Sequence, residues 1–222
     1  MIGTSVSVPE GKMKLLQASL RLVTSSRSLS SLGIRELARE AGLNPNTFYR
    51  HFSDLDDFGL FVFTCIADEV KRQVRRLRKA ASSSDQAARD SVHFVYEYFR
   101  TNPAVVMVAV RELHGPSPVL RRAIADQLEQ AAVEMADDVT ERALVPDVDR
   151  ATVLDIARTV VRFMLFRGMD YIENEGQQEA IQAETERFLR RQFMGALAQK
   201  AMPSLDAWLS LGPPGDELDP GG

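Results

Sequence analysis

The stretch AGLNPNTFYRHF, residues 41–52, concentrates side chains that could recognise nucleic acid. Phe48 and Phe52 lie four residues apart, so a helix would turn both toward the core. The side chains that then face outward are Pro45, Asn46, Thr47, Tyr49, Arg50 and His51. Hydroxyl groups can donate hydrogen bonds to phosphate oxygens, whereas amide and guanidinium groups can pair with base edges. This combination predicts DNA recognition by one helix face.

A tight break precedes this face. Gly42 is typical of a helix stop, Asn44 of a helix cap and Pro45 of a first helical turn. Two short helices joined so closely meet at a steep angle, and the second presents its positive dipole end. The pattern predicts a helix-turn-helix whose second helix enters the major groove of DNA. An ordinary helical hairpin with a solvated face is the alternative.

Charge is distributed unevenly along the chain. Residues 1–53 hold seven Lys or Arg and three acids, which gives +4 (7 − 3); a net charge of −4 leaves −8 for the rest. The residues counted are Lys12, Lys14, Arg21, Arg27, Arg35, Arg39 and Arg50 against Glu10, Glu36 and Glu40. A basic head on an acidic body is expected if only the head meets phosphates. Chance clustering is the alternative.

Helical periodicity and widely spaced helix breakers predict an all-α fold. The predicted head helices run from Gly11 to about Ser25, from near Gly33 to Gly42, and from Asn44 onward. The predicted body helices run over 54–81, 86–101, 104–113, 117–144, 149–175 and 178–200. These limits divide the chain into a flexible arm (1–9), a head (10–53), a helical body (54–202) and a disordered tail (203–222) rich in Pro, Gly and acids.

The residue types that carry catalysis are sparse. The three histidines, His51, His93 and His114, have no metal-ligand spacing with one another or with the single cysteine, Cys65, and no phosphate-binding glycine loop occurs. We therefore expect no enzyme activity, no metal and no cofactor. One cysteine excludes an internal disulfide and fits a reducing cytoplasm, and the sequence has no long apolar window that would predict a membrane partner.

The last two predicted helices are apolar on more than one face. Residues 149–175 carry two apolar faces, and 178–200 carry a stripe that includes Phe188, Leu189 and Phe193. A helix that needs two covered faces at the end of a chain indicates a partner chain as well as a core. We predict that these three side chains contribute to a homodimer interface.

The segment GIRELAREAGLNPNTFYRHFSDLDDFGL, residues 33–60, resembles the DNA-binding domain of TetR-family transcriptional repressors. The resemblance implies an N-terminal helix-turn-helix domain (10–53), a helical ligand-binding and dimerisation domain (54–202), and a homodimer that binds a near-palindromic operator in double-stranded DNA. It implies that Thr47, Tyr49 and His51 contact phosphates. Arg35, Pro45 and Asn46 would face base edges with Arg50 beside them, while Asn44 is either a DNA contact or only a cap.

Two positions depart from the family pattern. Gly33 stands where the family often has a Thr or Ser that caps the second helix, and glycine brings no hydroxyl for a phosphate. Leu55 replaces a frequent Lys at the start of the fourth helix. We expect operator affinity to depend more on Arg35, the third helix and the N-terminal arm.

A second segment, VRELHGPSPVLRRAI at 110–124, is similar to a segment of the TetR-family regulators of unsaturated fatty acid synthesis and desaturation. That resemblance implies a small-molecule effector, a long-chain acyl-CoA. The expected ligand-binding residues are Phe99, Met107, Arg111, Phe163 and Phe166. The alternatives are a regulator of efflux or catabolism genes that senses a compact molecule, and an adaptor that does not bind DNA. The basic run 71–79 either favours the helix dipole or serves an anionic ligand.

Overall fold

The computed structural model describes residues 8–23 and 27–201, and helices dominate that part of the chain. The α-helices of the described residues are α1 (Glu10–Leu22), α2 (Ile34–Glu40), α3 (Pro45–Tyr49), α4 (Leu55–Ala80), α5 (Ser84–Thr101), α6 (Pro103–Leu113), α7 (Pro118–Glu141), α8 (Arg150–Glu173) and α9 (Gln178–Ala201). A 3₁₀ turn at Leu29–Ser31 lies between α1 and α2. The predicted all-α fold is confirmed.

The predicted helix limits agree well with the structure, with one clear exception. The first helix ends at Leu22 rather than near Ser25, because Val23 already has an extended backbone conformation (ψ 126°). The predicted tail, 203–222, and all but two residues of the predicted arm, 1–9, lie outside the described residues.

The turn between α2 and α3 has the geometry that its residues favour. Gly42 adopts a φ of +67°, in the left-handed region that glycine enters without a steric penalty. The Leu43 N–H donates to the Ala38 carbonyl at 2.8 Å, which satisfies one of the last carbonyls of α2. Asn44 Oδ1 then accepts a hydrogen bond from the Asn46 N–H at 2.9 Å. The predicted helix stop and helix cap are both confirmed.

Aromatic packing fixes the direction of α3. Phe48 and Phe52 are buried, and both rings lie against Phe58 of α4, with centroids 5.8 Å and 5.1 Å away. Phe52 also lies 5.3 Å from Phe61, one turn further along α4. Because these rings occupy the inward side of α3, the other side of the helix must face solvent.

Head and body share one continuous core, and two contacts close their junction. Gly59 of α4 permits a close approach of α7, because a Cβ there would lie 2.5 Å from Leu120 Cδ2 and 3.4 Å from Leu29 Cδ2. Glu112, at the end of α6, is fully buried, and its Oε1 accepts hydrogen bonds from Ser30 N and Oγ at 2.9 Å and 3.0 Å. The 3₁₀ turn of the head is thereby attached to α4, α6 and α7.

The body is a bundle of α4–α9 in which α7 and α8 form the most extensive helix pair. A second apolar cluster, built around Ala132, Val153 and Leu189, fills the space between α7, α8 and α9. Among the helices of the described residues, none is long and apolar enough to cross a membrane.

Candidate nucleic-acid interface and effector cavity

The outward side of α3 is polar. Asn46, Tyr49 and Arg50 are exposed, whereas Pro45 and Thr47 are half-buried at the start of the helix. Tyr49 keeps 60% of its surface accessible, and its ring is held edge-on against Phe48, with centroids 5.6 Å apart. A large aromatic side chain exposed to this extent, with a hydroxyl at its tip, is suited to bind another molecule.

Every acidic residue of the head forms an ion pair with a Lys or Arg of the head. Glu10 pairs with Lys14 at 2.7 Å, and Glu40 with Arg21 at 2.7 Å. Glu36 receives two guanidinium nitrogens of Arg27 at 2.8 Å. These hydrogen bonds lower the pKa of Glu36 to about 2, so the pair stays ionised throughout the physiological range.

The remaining four cations of the head account for its charge of +4. Lys12, Arg35, Arg39 and Arg50 form no ion pair within residues 8–23 and 27–201. Arg35 and Arg39 lie four residues apart on the exposed side of α2, and Arg50 follows the last residue of α3. Three exposed guanidinium groups therefore accompany the polar side of α3, as expected of a surface that meets phosphates.

Arg39 is absent from the set of DNA-contact residues predicted by sequence. Its spacing from Arg35 is the signal that could have identified it, because residues four apart share a side of a helix. Its exposure in the structure, without an acidic partner in the described residues, places it beside Arg35 as a candidate contact.

Two other groups of the head lie against the protein itself. Lys12 Nζ lies 4.7 Å from the Phe52 ring centroid, so its charge rests on an aromatic face. His51 is half-buried where α3 meets α1, and a Cβ on Gly11 would lie 2.8 Å from its Nε2. His51 thus sets the distance between α1 and α3, and its contact with a phosphate stays a prediction.

A partly open cavity of about 680 Å³ lies in the body, between α4, α5, α6, α7, α8 and α9. Phe63 and Arg78, fifteen residues apart on α4, both line it, which corresponds to a length of roughly 22 Å at the helical rise per residue. A sphere of that volume would be only about 11 Å across, which is half of the length spanned along α4. The cavity is therefore elongated. Its size and mostly apolar lining are those of a small-molecule site.

The two ends of the cavity differ in polarity. The end near the head is lined by Phe63, Phe99, Val105 and Ile124. The opposite end is lined by Arg78 of α4 together with charged residues of α5 and α9, namely Asp85, Arg89, Glu186 and Arg190. A ligand with an apolar tail and a polar head would match this gradient.

Arg78 is held at the polar end by a buried ion pair. Its Nε and Nη2 donate to Asp138 Oδ2 at 3.0 Å and 2.9 Å, while Arg75 Nε approaches Oδ1 at 3.3 Å. Burial lowers the pKa of Arg78, and the Asp138 carboxylate opposes that effect. Two guanidinium groups therefore share one buried carboxylate here, an arrangement that the sequence alone did not indicate.

The cavity also contains a hydroxyl with no protein partner. Ser91 of α5 lines the cavity, and its Oγ is buried without a hydrogen bond to any described residue. A buried hydroxyl in an apolar wall is costly unless it is satisfied, so it is available to a polar atom of a ligand.

Of the ligand-binding residues predicted from sequence, the cavity wall contains Phe99 and excludes the other four. Arg111 points to the head, where its Nη1 donates to the Arg27 carbonyl at 3.3 Å. Phe163 stacks on Phe188 with centroids 4.3 Å apart, and Phe166 is 44% exposed. Met107 is half-buried on a side of α6 that does not line the cavity. Helices α6 and α8 turn these four side chains away from this cavity, and their contact with an effector stays a prediction.

The three predicted dimerisation residues do not all lie on the same side of α9. Leu189 is 7% exposed and, like Phe193, lines the cavity, so both face the interior of their own chain. Phe188 is half-buried: it packs against the second core cluster and stacks on Phe163, which belongs to neither cluster. Of the three residues, Phe188 alone does not line the cavity.

Comparison with known proteins shows which family model and which solved structures this chain resembles. The model of bacterial regulatory proteins of the tetR family matches residues 15–58. The fold resembles the fatty acid degradation regulator FadR of Bacillus halodurans (12% identity, TM-score 0.69, 85% of this chain and 97% of that one). It also resembles a putative TetR-family regulator of Syntrophomonas wolfei (16% identity, TM-score 0.69, 83% and 95%). Residues 15–58 therefore match the TetR family, and the fold of the described residues resembles that of a TetR-family regulator.

Another protein of similar fold was solved with a ligand. FadR of Bacillus subtilis, in complex with stearoyl-CoA, matches with 14% identity and a TM-score of 0.63 over 82% of this chain and 98% of that one. Identities this low establish the shared fold alone. The matched region 15–58 spans α1, α2, α3 and the start of α4, which are the elements that position the candidate DNA interface.

Proposed function

We propose that this protein is an effector-responsive repressor of the TetR family that binds a near-palindromic operator as a homodimer. The observation that carries the DNA-binding part is the charge arrangement of the head. Each acidic residue of the head forms an ion pair within the head. The exposed side chains of Arg35, Arg39 and Arg50 lie beside the polar side of α3 without such a pair among the described residues. In this proposal Tyr49, Thr47 and His51 contact phosphates, whereas Arg35, Pro45 and Asn46 face base edges.

The roles of Tyr49 and Arg35 are separable by mutation. We expect Tyr49→Phe to weaken binding to all duplexes alike, because it removes a hydrogen bond to a phosphate and leaves the base edges untouched. We expect Arg35→Ala to relax preference at particular base pairs, at a cost of about 1–3 kcal/mol for each base pair that the guanidinium reads. Fluorescence anisotropy with a full set of single-base operator variants measures both effects.

Lys14→Ala provides a matched control for charge removal. Lys14 is an exposed cation of the same domain, but it already pairs with Glu10. We expect its removal to change neither affinity nor base preference appreciably. An operator-variant profile that Arg35→Ala leaves unchanged would refute the base-reading role of Arg35.

We further propose that the effector is a long-chain acyl-CoA and that the regulated genes serve fatty acid desaturation or other lipid metabolism. Three features support this class of ligand: the elongated apolar cavity, the guanidinium groups of Arg78, Arg89 and Arg190 at its polar end, and the Ser91 hydroxyl, which has no partner among the described residues. The stearoyl-CoA complex of the Bacillus subtilis relative supports the same class. A compact effector, as in efflux or catabolism regulators, is the rival and would leave much of the cavity length unfilled.

The junction between cavity and head suggests how such a ligand would act. Val105 and Ala109 of α6 line the cavity, and Glu112, at the end of the same helix, holds Ser30 of the head. Filling the cavity would bias α6 between two positions and so change the distance between the two recognition helices of the dimer. Saturated and unsaturated chains differ by a kink and would bias that distance differently.

Titration of the operator complex tests the proposal. The DNA upstream of the protein's own gene provides the first probe in a gel-shift assay. Palmitoyl-CoA and oleoyl-CoA, added below their micelle concentrations, are expected to change DNA affinity, and free CoA is expected to leave it unchanged. If neither thioester changes DNA affinity, acyl sensing is refuted and the repressor proposal stands. If no specific duplex is bound at all, the adaptor alternative is favoured.

A further inference from the structure

The apolar end of the cavity is a wall formed around the Phe99 ring. Phe99 is 8% exposed, and it lines the cavity together with Phe63 and Ile124. Phe63 and Ile124 lie one helical turn beyond Gly59 and Leu120, the pair that closes the junction with the head. The cavity therefore ends directly above the DNA-binding domain.

Behind this ring stands a glycine. Gly168 of α8 is buried, and a Cβ built on it would lie 2.6 Å from Phe99 Cδ2 and 2.8 Å from Cε2. The same Cβ would lie 3.1 Å from Val106 Cγ2, so α6 also packs closely against α8 at this point. Only a residue without a side chain allows Phe99 to lie this far back against α8.

The polarity gradient sets the direction of a chain-shaped ligand. Its polar group belongs at the end marked by Arg78, Asp85 and Arg190, because that end supplies most of the charged side chains of the lining. Its methyl terminus then points toward Phe99. Whatever fixes the position of the Phe99 ring therefore fixes the length of chain that the cavity accepts.

We propose that Phe99, held back by Gly168, measures the length of the acyl chain and so determines the chain-length specificity of the protein. This inference rests on the proposed acyl-CoA effector. It assigns the two residues a specificity role that is separate from the recognition of the polar head. Each methylene that the wall excludes costs about fourfold in affinity, the value expected for burial of one CH₂ group.

The test compares four forms of the full-length protein: wild type, Gly168→Ala, Phe99→Leu and Gly176→Ala. Gly168→Ala pushes the ring into the cavity, whereas Phe99→Leu shortens the wall. Gly176→Ala is the control, because a Cβ there meets no heavy atom within 4 Å. Isothermal titration with saturated acyl-CoAs from decanoyl to eicosanoyl gives the dissociation constant as a function of chain length.

We expect the affinity maximum of Gly168→Ala to move to chains shorter by about one or two methylenes, with roughly a four- to fifteenfold loss for the longest chains. The maximum of Phe99→Leu is expected to move to longer chains, and that of Gly176→Ala to coincide with wild type. Should Gly168→Ala fail to fold, the shift of Phe99→Leu decides the question.

Two outcomes contradict the proposal in distinguishable ways. Acyl-CoA binding with the same maximum in wild type, Gly168→Ala and Phe99→Leu overturns the length-measuring role alone. Absence of binding by wild type at every chain length overturns the acyl-CoA effector, and the length-measuring role with it.

Discussion

Replacing Asp138 by Ala is expected to destabilise the ligand-free protein by about 3–5 kcal/mol, the cost of leaving a buried charge without its partner. Asp138 is 1% exposed and accepts two hydrogen bonds from Arg78, whose side chain is only 10% exposed. Without the carboxylate, the Arg78 guanidinium stays in the interior beside Arg75. For a chain of this size, the melting temperature should fall by roughly 10 °C.

Asp85→Ala is the matched control for this experiment. Asp85 also pairs with an arginine, Arg190, at 3.3 Å, but the two side chains are 61% and 57% exposed. Ion pairs in water contribute little, so we expect a change within about 0.5 kcal/mol. Thermal and urea denaturation of the two variants, without ligand, compare the same chemical change in buried and exposed settings.

A double variant separates charge burial from loss of packing. Asp138→Leu combined with Arg78→Met removes both charges and keeps apolar volume, so it should recover a large part of the stability that Asp138→Ala removes. A destabilisation by Asp138→Ala no greater than that by Asp85→Ala would contradict the buried ion pair. A double variant as unstable as Asp138→Ala would instead assign the effect to packing.

Phe188→Asp is expected to separate the proposed homodimer into monomers and to abolish tight operator binding. Phe188 packs at the edge of the second core cluster and stacks on Phe163, and Phe166 on the same helix as Phe163 is 44% exposed. Large apolar side chains left in water on a helix pair are typical of a subunit interface. A carboxylate buried there costs at least about 3 kcal/mol per protomer, more than a hundredfold in the dissociation constant.

Sedimentation equilibrium at micromolar concentration measures this change, and circular dichroism checks that the helices persist. Phe163→Asp repeats the test at a residue outside both core clusters, where the chain's own packing is less affected. Ala151→Asp adds the same charge at an exposed position in the first turn of α8 and should leave the dimer intact. A folded Phe188→Asp protein that still sediments as a dimer would show that the interface lies elsewhere.

Phe193→Asp, an equally natural choice from the sequence, is not a clean test of the interface. Phe193 lines the cavity of the body, so a charge there would disturb the interior of the chain and, under the proposed function, ligand binding as well. Phe188 and Phe193 are five positions apart on one helix, and only the three-dimensional structure shows that Phe193 lines the cavity and Phe188 does not.

Local signals in the sequence were sufficient for the helix-turn-helix. Gly42, Asn44 and Pro45 act on residues no more than a few positions away, so their effect could be predicted without knowledge of distant contacts. The same holds for Phe48 and Phe52. They lie four residues apart, so both rings lie on the same side of the helix. The exposed side of α3 follows from these residues alone.

The effector cavity and the outward side of α8 and α9 were decided only by the tertiary structure. Helices α8 and α9 carry apolar residues on several sides, so periodicity gave no preference for which side meets the core. Packing against α4, α5 and α7 turned Leu189 inward and left Phe163 and Phe166 outside. Asp138 meets Arg78 across sixty residues of sequence, a distance over which no local pattern carries information. The sequence by itself determined the local turns and caps, whereas the contacts that define the cavity required the packing of the whole chain.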